Sequence, residues 1–312
     1  MPNGNNKIVK NKGDLDNMKK SLRRKLIMSA VAVGVAAVGT TASTYAWFVS
    51  NTDVSSSVSG AVEDATSSLY ISEDGKNFGT QKIDLGSKTS KLAPLQLTND
   101  GATGAYTLKD LEGNNANTEN YITFDLYFSV QLQGNASKKV VIKTTAEDKG
   151  EQKHVAQTNV TAADGYTAIN QGDQLWENVI KAMNVQVDIK NATTVAGLDA
   201  AQATSYYYAL NDTKGTYNGL AYFNAVTGET HTPANVKEIT NYLTETEISQ
   251  TTKKAENTTG VDFIPEITQS GYYKASFTIW MDGWDDAAFD AVASHAFELG
   301  FTFALADKTV AA

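Results

Sequence analysis

The stretch that decides the fold is Tyr121-Ile-Thr-Phe-Asp-Leu-Tyr-Phe-Ser-Val-Gln-Leu-Gln133. Ile122, Phe124, Leu126, Phe128, Val130 and Leu132 take every second position, and Thr123, Asp125, Tyr127, Ser129, Gln131 and Gln133 take the positions between them. Side chains alternate across a strand, so this period sends one set into a core and the other toward solvent. It predicts a long antiparallel strand in a sheet with one buried face. Gly134-Asn135 then punctuates the chain, and Val140–Ile142 reads as the return strand.

The same period recurs outward from there. Tyr273, Ala275, Phe277, Ile279 and Met281 alternate with polar or surface-tolerant residues, and so do Phe297, Leu299, Phe301, Phe303 and Leu305. Leu69-Tyr70-Ile71 leads to Asp74-Gly75 with Phe78 beyond, which predicts a hairpin. Leu95 and Leu97 mark another short strand. One helix is predicted, with Asp173 as N-cap after Gly172 and Leu175, Trp176, Val179 and Ile180 on one face. It runs into Met183, Val185, Val187 and Ile189, alternating again. A second helical turn is predicted at Asp285–Ser294, with Phe289 and Val292 facing inward. Across 191–260 the period weakens, and Ala, Thr, Asn and Tyr dominate, including Tyr206-Tyr207-Tyr208. That reads as a peripheral insertion, not a second core. The whole predicts an all-β chain, a two-sheet jelly-roll-like sandwich with one or two short helices, as a single domain over 47–312.

Residues 1–46 read differently, as a secretory signal peptide. Met18-Lys19-Lys20-Ser21-Leu22-Arg23-Arg24-Lys25 is a basic stretch, and Leu26 to Gly39 is an apolar, small-residue run. Thr44-Tyr45-Ala46 puts small residues at the positions a signal peptidase reads, so cleavage is expected between Ala46 and Trp47. Met18 is a candidate true start. Two alternatives stay open: a twin-arginine signal at Arg23-Arg24, or an uncleaved segment Leu26–Val49 that anchors the chain in a membrane.

That boundary sharpens the charge argument. The chain of 312 residues has net charge −9, from 26 basic and 35 acidic residues. Eight of the basic and two of the acidic residues lie in 1–46, which leaves 18 against 33 and a net −15. Both arginines lie in the signal segment, so the mature part has none. An acidic body without arginine argues against a nucleic-acid partner. The absence of cysteine excludes disulfides, thiolate chemistry and attachment through an N-terminal lipidated cysteine. A chain of this size can fold on its core alone, and a cysteine-free exported protein suits a Gram-positive-type envelope.

Catalytic patterns are missing. His154, His231 and His295 are isolated in sequence, with no pair one helical turn apart around a Glu, as a zinc hydrolase needs. No G-x-S-x-G elbow and no phosphate loop is present, so no catalytic residue and no organic cofactor is assigned. The best local constellation is Asp282-Gly283-Trp284-Asp285-Asp286 with Asp290 nearby. Carboxylates clustered in a loop between strands can ligate Ca²⁺, so Asp282, Asp285, Asp286 and Asp290 are candidate metal ligands. A solvated acidic turn is the alternative.

The leader and its boundary carry a resemblance. The basic stretch, the Ala/Val/Gly run, then Thr44-Tyr45-Ala46 followed by Trp47-Phe48 and Ser50-Asn51-Thr52-Asp53 resemble the TasA/camelysin family of secreted Gram-positive proteins. The segment Trp280–Trp284 and Asp285, followed by an aromatic final strand, is similar to other proteins with such leaders. The resemblance implies processing by a dedicated signal peptidase and a jelly-roll subunit that self-associates into extracellular, biofilm-matrix fibres. It also implies an assembly strand at the mature N-terminus, here Trp47, Phe48 and Val49, which completes the sheet of the next subunit. Camelysin-type members are called metalloproteases, but no zinc motif carries over to this chain. A glycan- or host-binding adhesin on the same fold is the alternative function.

Overall fold

The computed structural model describes residues 43–48, 67–79, 87–89, 92–99, 101, 104–133, 137–150, 154–162, 165–228, 230, 232–245, 248–249, 251–288, 292, 295 and 297–308. The basic stretch and apolar run of the expected signal lie outside these residues, as do Val49, Gly134-Asn135, Phe289 and Asp290.

The strands in chain order are β1 (Ser43–Phe48), β2 (Ser68–Ser72), β3 (Ser87–Thr89), β4 (Pro94–Asn99), β5 (Tyr106–Asp110), β6 (Ile122–Gln131) and β7 (Lys138–Asp148). They continue with β8 (His154–Val155), β9 (Gln174–Leu175), β10 (Met183–Ala192), β11 (Thr204–Ala209), β12 (Lys254–Ile267), β13 (Gly271–Asp282) and β14 (Phe297–Asp307). One α-helix, α1 (Gly219–Thr227), stands among the described residues. The chain is therefore all-β in class.

The strands form two large sheets and a small β8–β9 pair. The five-stranded sheet has the order β12-β7-β14-β1-β3. The seven-stranded sheet has the order β11-β10-β13-β4-β5, with β6 pairing both β13 and β2. β13 is long enough to serve two neighbours on one side. Its Gly271–Ile279 part runs antiparallel to β6, and Met281 and Asp282 pair in parallel with Pro94 and Leu95 of β4.

Period two explains why the sheets meet. Phe128 of β6 and Phe277 of β13 point from the larger sheet; Phe263 of β12 and Phe301 and Phe303 of β14 point from the smaller one. Ring centroids lie 4.9 Å apart for Phe128–Phe303, 5.8 Å for Phe263–Phe277 and 5.6 Å for Phe277–Phe301. These five rings are almost fully buried. Edge-to-face and stacked pairs at such distances contribute about 0.5–1.5 kcal/mol each beyond burial of their area. On β7 the inward series is Val140, Ile142, Thr144, Ala146 and Asp148, all buried. The two sheets thus share one core, which gives the chain a sandwich-like character.

Three local readings need correction. The strand after Gly134-Asn135 does exist, but it does not return beside β6. β7 pairs with β14 and β12 in the opposite sheet, so the connection crosses the core. The predicted helix from Asp173 is replaced by β9 and a 3₁₀ turn at Val179–Ala182. Asp173 turns back to accept from the Asn170 N–H at 2.8 Å, and Asn178 caps the turn instead, accepting from Ile180 N–H at 2.9 Å. Leu175, Glu177, Asn178, Val179, Ile180, Lys181 and Ala182 are all buried, so the segment has no polar face for an amphipathic helix to present. The described residues of the second predicted helix, 285–288 and Val292, are turns, bends or irregular, and Val292 is buried in the core, facing inward as expected.

Within 191–260, β11 extends the larger sheet beside β10, and α1 packs elsewhere. Asn218 caps α1, accepting from Ala221 N–H at 2.9 Å, and Gly228 closes it at φ +71°. Tyr222 of α1 joins Ala156, Ile169 and Leu175 in a small satellite core. A third cluster gathers Trp280, Leu95 and Leu97.

Candidate functional site

Two zones stand out from the sequence, and the structure adds a third. The first zone is β1. It lies between β14 and β3, parallel to β14 with Ala46 opposite Leu299, Trp47 opposite Gly300 and Phe48 opposite Phe301. Ser43, Thr44 and Tyr45 run antiparallel to Thr89, Lys88 and Ser87 of β3. The expected cleavage bond, Ala46–Trp47, therefore lies inside a paired strand. β3 is held to the sheet through β1. Loss of residues 1–46 would remove the pairing at Glu298 and Leu299 and release β3, which leaves one side of β14 with unpaired backbone groups. An unpaired strand edge is a template for another strand. Val49, the third expected anchor, lies outside the described residues.

The second zone is the acidic turn after β13. Asp282 accepts from Asn184 Nδ2 at 2.8 Å and from the Trp284 N–H at 3.0 Å. Asp285 accepts from the Ala287 N–H at 2.8 Å. Asp286 Oδ1 accepts from the Gly215 N–H at 3.0 Å, and its carbonyl accepts from Gly219 N–H at 2.7 Å. Burial raises the pKa of Asp282, and burial with the neighbouring Asp286 carboxylate raises that of Asp285 well above the usual range. Among the described residues no three metal-ligating side chains converge on one point. The described carboxylates hold the turn and dock the 213–219 loop; Asp290, the fourth candidate ligand, is not among the described residues.

Of the histidines, His295 alone has a described side-chain environment. Its Nδ1 lies 2.9 Å from Asp148 Oδ2, and both side chains are fully buried. Asp148 also accepts from Gly150 N–H at 2.6 Å and Val179 N–H at 3.0 Å. The pair resembles half of a catalytic triad, but full burial keeps a substrate away. Its geometry is that of a clamp joining β7, the 3₁₀ turn and the approach to β14.

The third zone carries no motif in the sequence. A cleft of about 470 Å³ is lined by residues that include Trp176, Lys181, Lys214, Tyr217 and Ser249. Behind it, Lys181 Nζ donates to Glu177 Oε2 at 3.2 Å and to the Lys214 carbonyl at 3.2 Å, with both charged side chains almost fully buried. Glu177 Oε1 accepts from the Thr216 and Tyr217 N–H groups. At the rim the Lys214 ammonium sits 3.7 Å from the Tyr166 ring centroid. Burial and the adjacent Asp286 carboxylate push the Tyr166 hydroxyl up to about 12. Nothing in the separate strings Gly165, Gln174–Lys181, Thr213–Tyr217 and Ile248-Ser249 signals this convergence; only the clustering of Trp176 with Glu177 and Lys181 hints at it.

Among the described residues no helix is long and apolar enough to cross a membrane. Comparison with protein-family models, curated proteins and solved structures found no match.

Proposed function

We propose that this chain is a secreted structural protein, the subunit of an extracellular or biofilm-matrix fibre that assembles by strand addition on a jelly-roll-like sandwich. The observation that supports the reading best is the seating of Ser43–Phe48 on β14 with the expected cleavage bond inside it. A signal peptidase that cuts after Ala46 takes most of β1 away. The shortened Trp47-Phe48-Val49 segment then leaves its own β14 and pairs with the β14 of a second copy, in the parallel direction and register that β1 occupies. Such a contact is heterologous and does not close on itself, so it propagates into a filament.

In this reading the chain is not an enzyme. Its partners are the signal peptidase and further copies of itself, and it resides at the surface or in the matrix of a Gram-positive-type bacterium. The net charge of −15 beyond Ala46 keeps the unassembled subunit soluble and argues against nucleic acid.

Electron microscopy of three preparations tests the proposal: the full chain, the chain from Trp47, and the chain from Ser55. The chain from Trp47 should form filaments, while the other two remain monomeric. Filaments of the chain from Ser55 would contradict it.

A further inference from the structure

We infer that the cleft beside Trp176 and Tyr217 is a binding site for a neutral saccharide. The inference does not depend on strand addition, because none of the cleft residues lies on β1 or β14.

Rigidity is the first argument. The 213–217 loop that forms one wall is tied down from several directions. Glu177 accepts from Thr216 and Tyr217, Lys181 donates to the Lys214 carbonyl, Asp286 accepts from Gly215 at 3.0 Å, and the Thr216 carbonyl accepts from Thr167 N–H at 2.9 Å. A buried ion pair adds little net stability over apolar residues of the same volume. Its effect here is positional: it fixes the loop before any ligand arrives, and a preformed site loses less entropy on binding.

The lining is the second argument. Trp176 and Tyr217 are half-buried aromatics on the cleft, and the polar residues Gln174, Thr213, Thr216 and Ser249 line it with them, the Ser249 hydroxyl also accepting from Thr252 N–H at 3.1 Å. A sugar ring has an apolar C–H face and a perimeter of hydroxyls, which matches flat aromatic surface edged by donors and acceptors. The lining carries Lys181 and Lys214, and three carboxylates lie beside it: Glu177 paired with Lys181, Asp173 near Tyr217, and Asp286 bonded to Gly215 N–H. Carboxylates around the two lysines disfavour phosphate or a polyanion and suit hydroxyls. A volume of about 470 Å³ lies within the range of small-molecule clefts.

The test titrates the full chain with maltotetraose, cellotetraose and chitotetraose, with inorganic phosphate as the anionic control. Saturation-transfer NMR and tryptophan emission are the readouts. At least one oligosaccharide should bind with a Kd of about 1 mM or tighter. Trp176→Ala should weaken it by at least about tenfold, equivalent to about 1.4 kcal/mol. Because Trp176→Ala could disturb folding, Gln174→Ala at the exposed rim provides the second variant; it should weaken binding with an unchanged melting temperature. The inference is overturned if none of the three sugars binds at about 10 mM, if phosphate binds in their place, or if affinity survives both substitutions.

Discussion

Asp148 and His295, 147 positions apart in the chain, meet at 2.9 Å with both side chains fully buried. Gly150 seals the pair: a Cβ there would sit 2.1 Å from the imidazole ring. Gly150→Ala must therefore displace His295, and overpacking of this kind costs about 1–3 kcal/mol. Asp148→Ala removes the acceptor of Gly150, Val179 and His295 together. With buried donors orphaned at about 1–3 kcal/mol each, the loss should exceed about 3 kcal/mol. Urea unfolding followed by circular dichroism measures both; a Gly150→Ala chain as stable as the parent would contradict the clamp.

The Glu177–Lys181 pair makes a different prediction. Glu177→Ala strands a buried ammonium and should cost about 3–5 kcal/mol. Replacing both partners, as Glu177→Leu with Lys181→Met, removes the unpaired charge and should recover much of that loss, though Thr216 and Tyr217 would still lack their acceptor. Thermal melts of the single and double variants decide. A double variant as unstable as Glu177→Ala would show that loop docking, not charge pairing, carries the energy.

Stability should also respond to high pH through Tyr208. Burial raises its pKa above the ordinary 10.0, with Tyr206 and Asp262 adding to the effect, and its hydroxyl donates to the Asp262 carbonyl at 3.2 Å. The unfolded chain gives up that proton near pH 10, while the folded chain holds it. The unfolded state binds fewer protons there, so stability is intact below pH 10 and falls as pH rises beyond it. Tyr208→Phe should be less stable at pH 7 by about 1 kcal/mol but should lose less between pH 9 and 11. Equal slopes for the two chains would contradict the assignment.

The aromatic core supplies a fourth prediction. Phe277 touches rings from both sheets, with Phe124 at 4.6 Å, Phe263 at 5.8 Å and Phe301 at 5.6 Å. Phe277→Ala should cost about 3–5 kcal/mol in guanidinium unfolding. A loss below about 1 kcal/mol would mean that the two sheets do not rely on this contact.

How far the fold is legible in the amino-acid sequence depends on how each segment is buried. β6, β13 and β14 are legible because each buries one face almost completely and leaves the other largely half-buried and polar, which writes period two into the chain. The segment Asp173–Ala182 reads as a helix although it is not one, because nearly all of it is buried, and burial on every side erases the period that separates helix from strand. The helix α1 leaves only Asn218 and Gly228 as end marks within a weakly patterned stretch. The side to which β7 crosses is not legible, since Val140 and Ile142 alternate in the same way in either sheet. Asp148 with His295, and Glu177 with Thr216 and Tyr217, are long-range meetings created by the fold itself. The acidic turn is visible as a cluster, but not that its carboxylates are engaged by Asn184, Gly215 and their own turn.

In the proposed fibre, the Trp47–Val49 segment of one copy occupies the β14 edge of another. Trp47 lies opposite Gly300 in the observed register, and the chain has no natural cysteine. Two variants of the chain from Trp47, one Trp47→Cys and the other Gly300→Cys, can therefore be mixed, allowed to assemble and oxidised. Strand addition predicts a disulfide-linked heterodimer on non-reducing gels from assembled material and none from monomer. Filaments that form without this cross-link would contradict it.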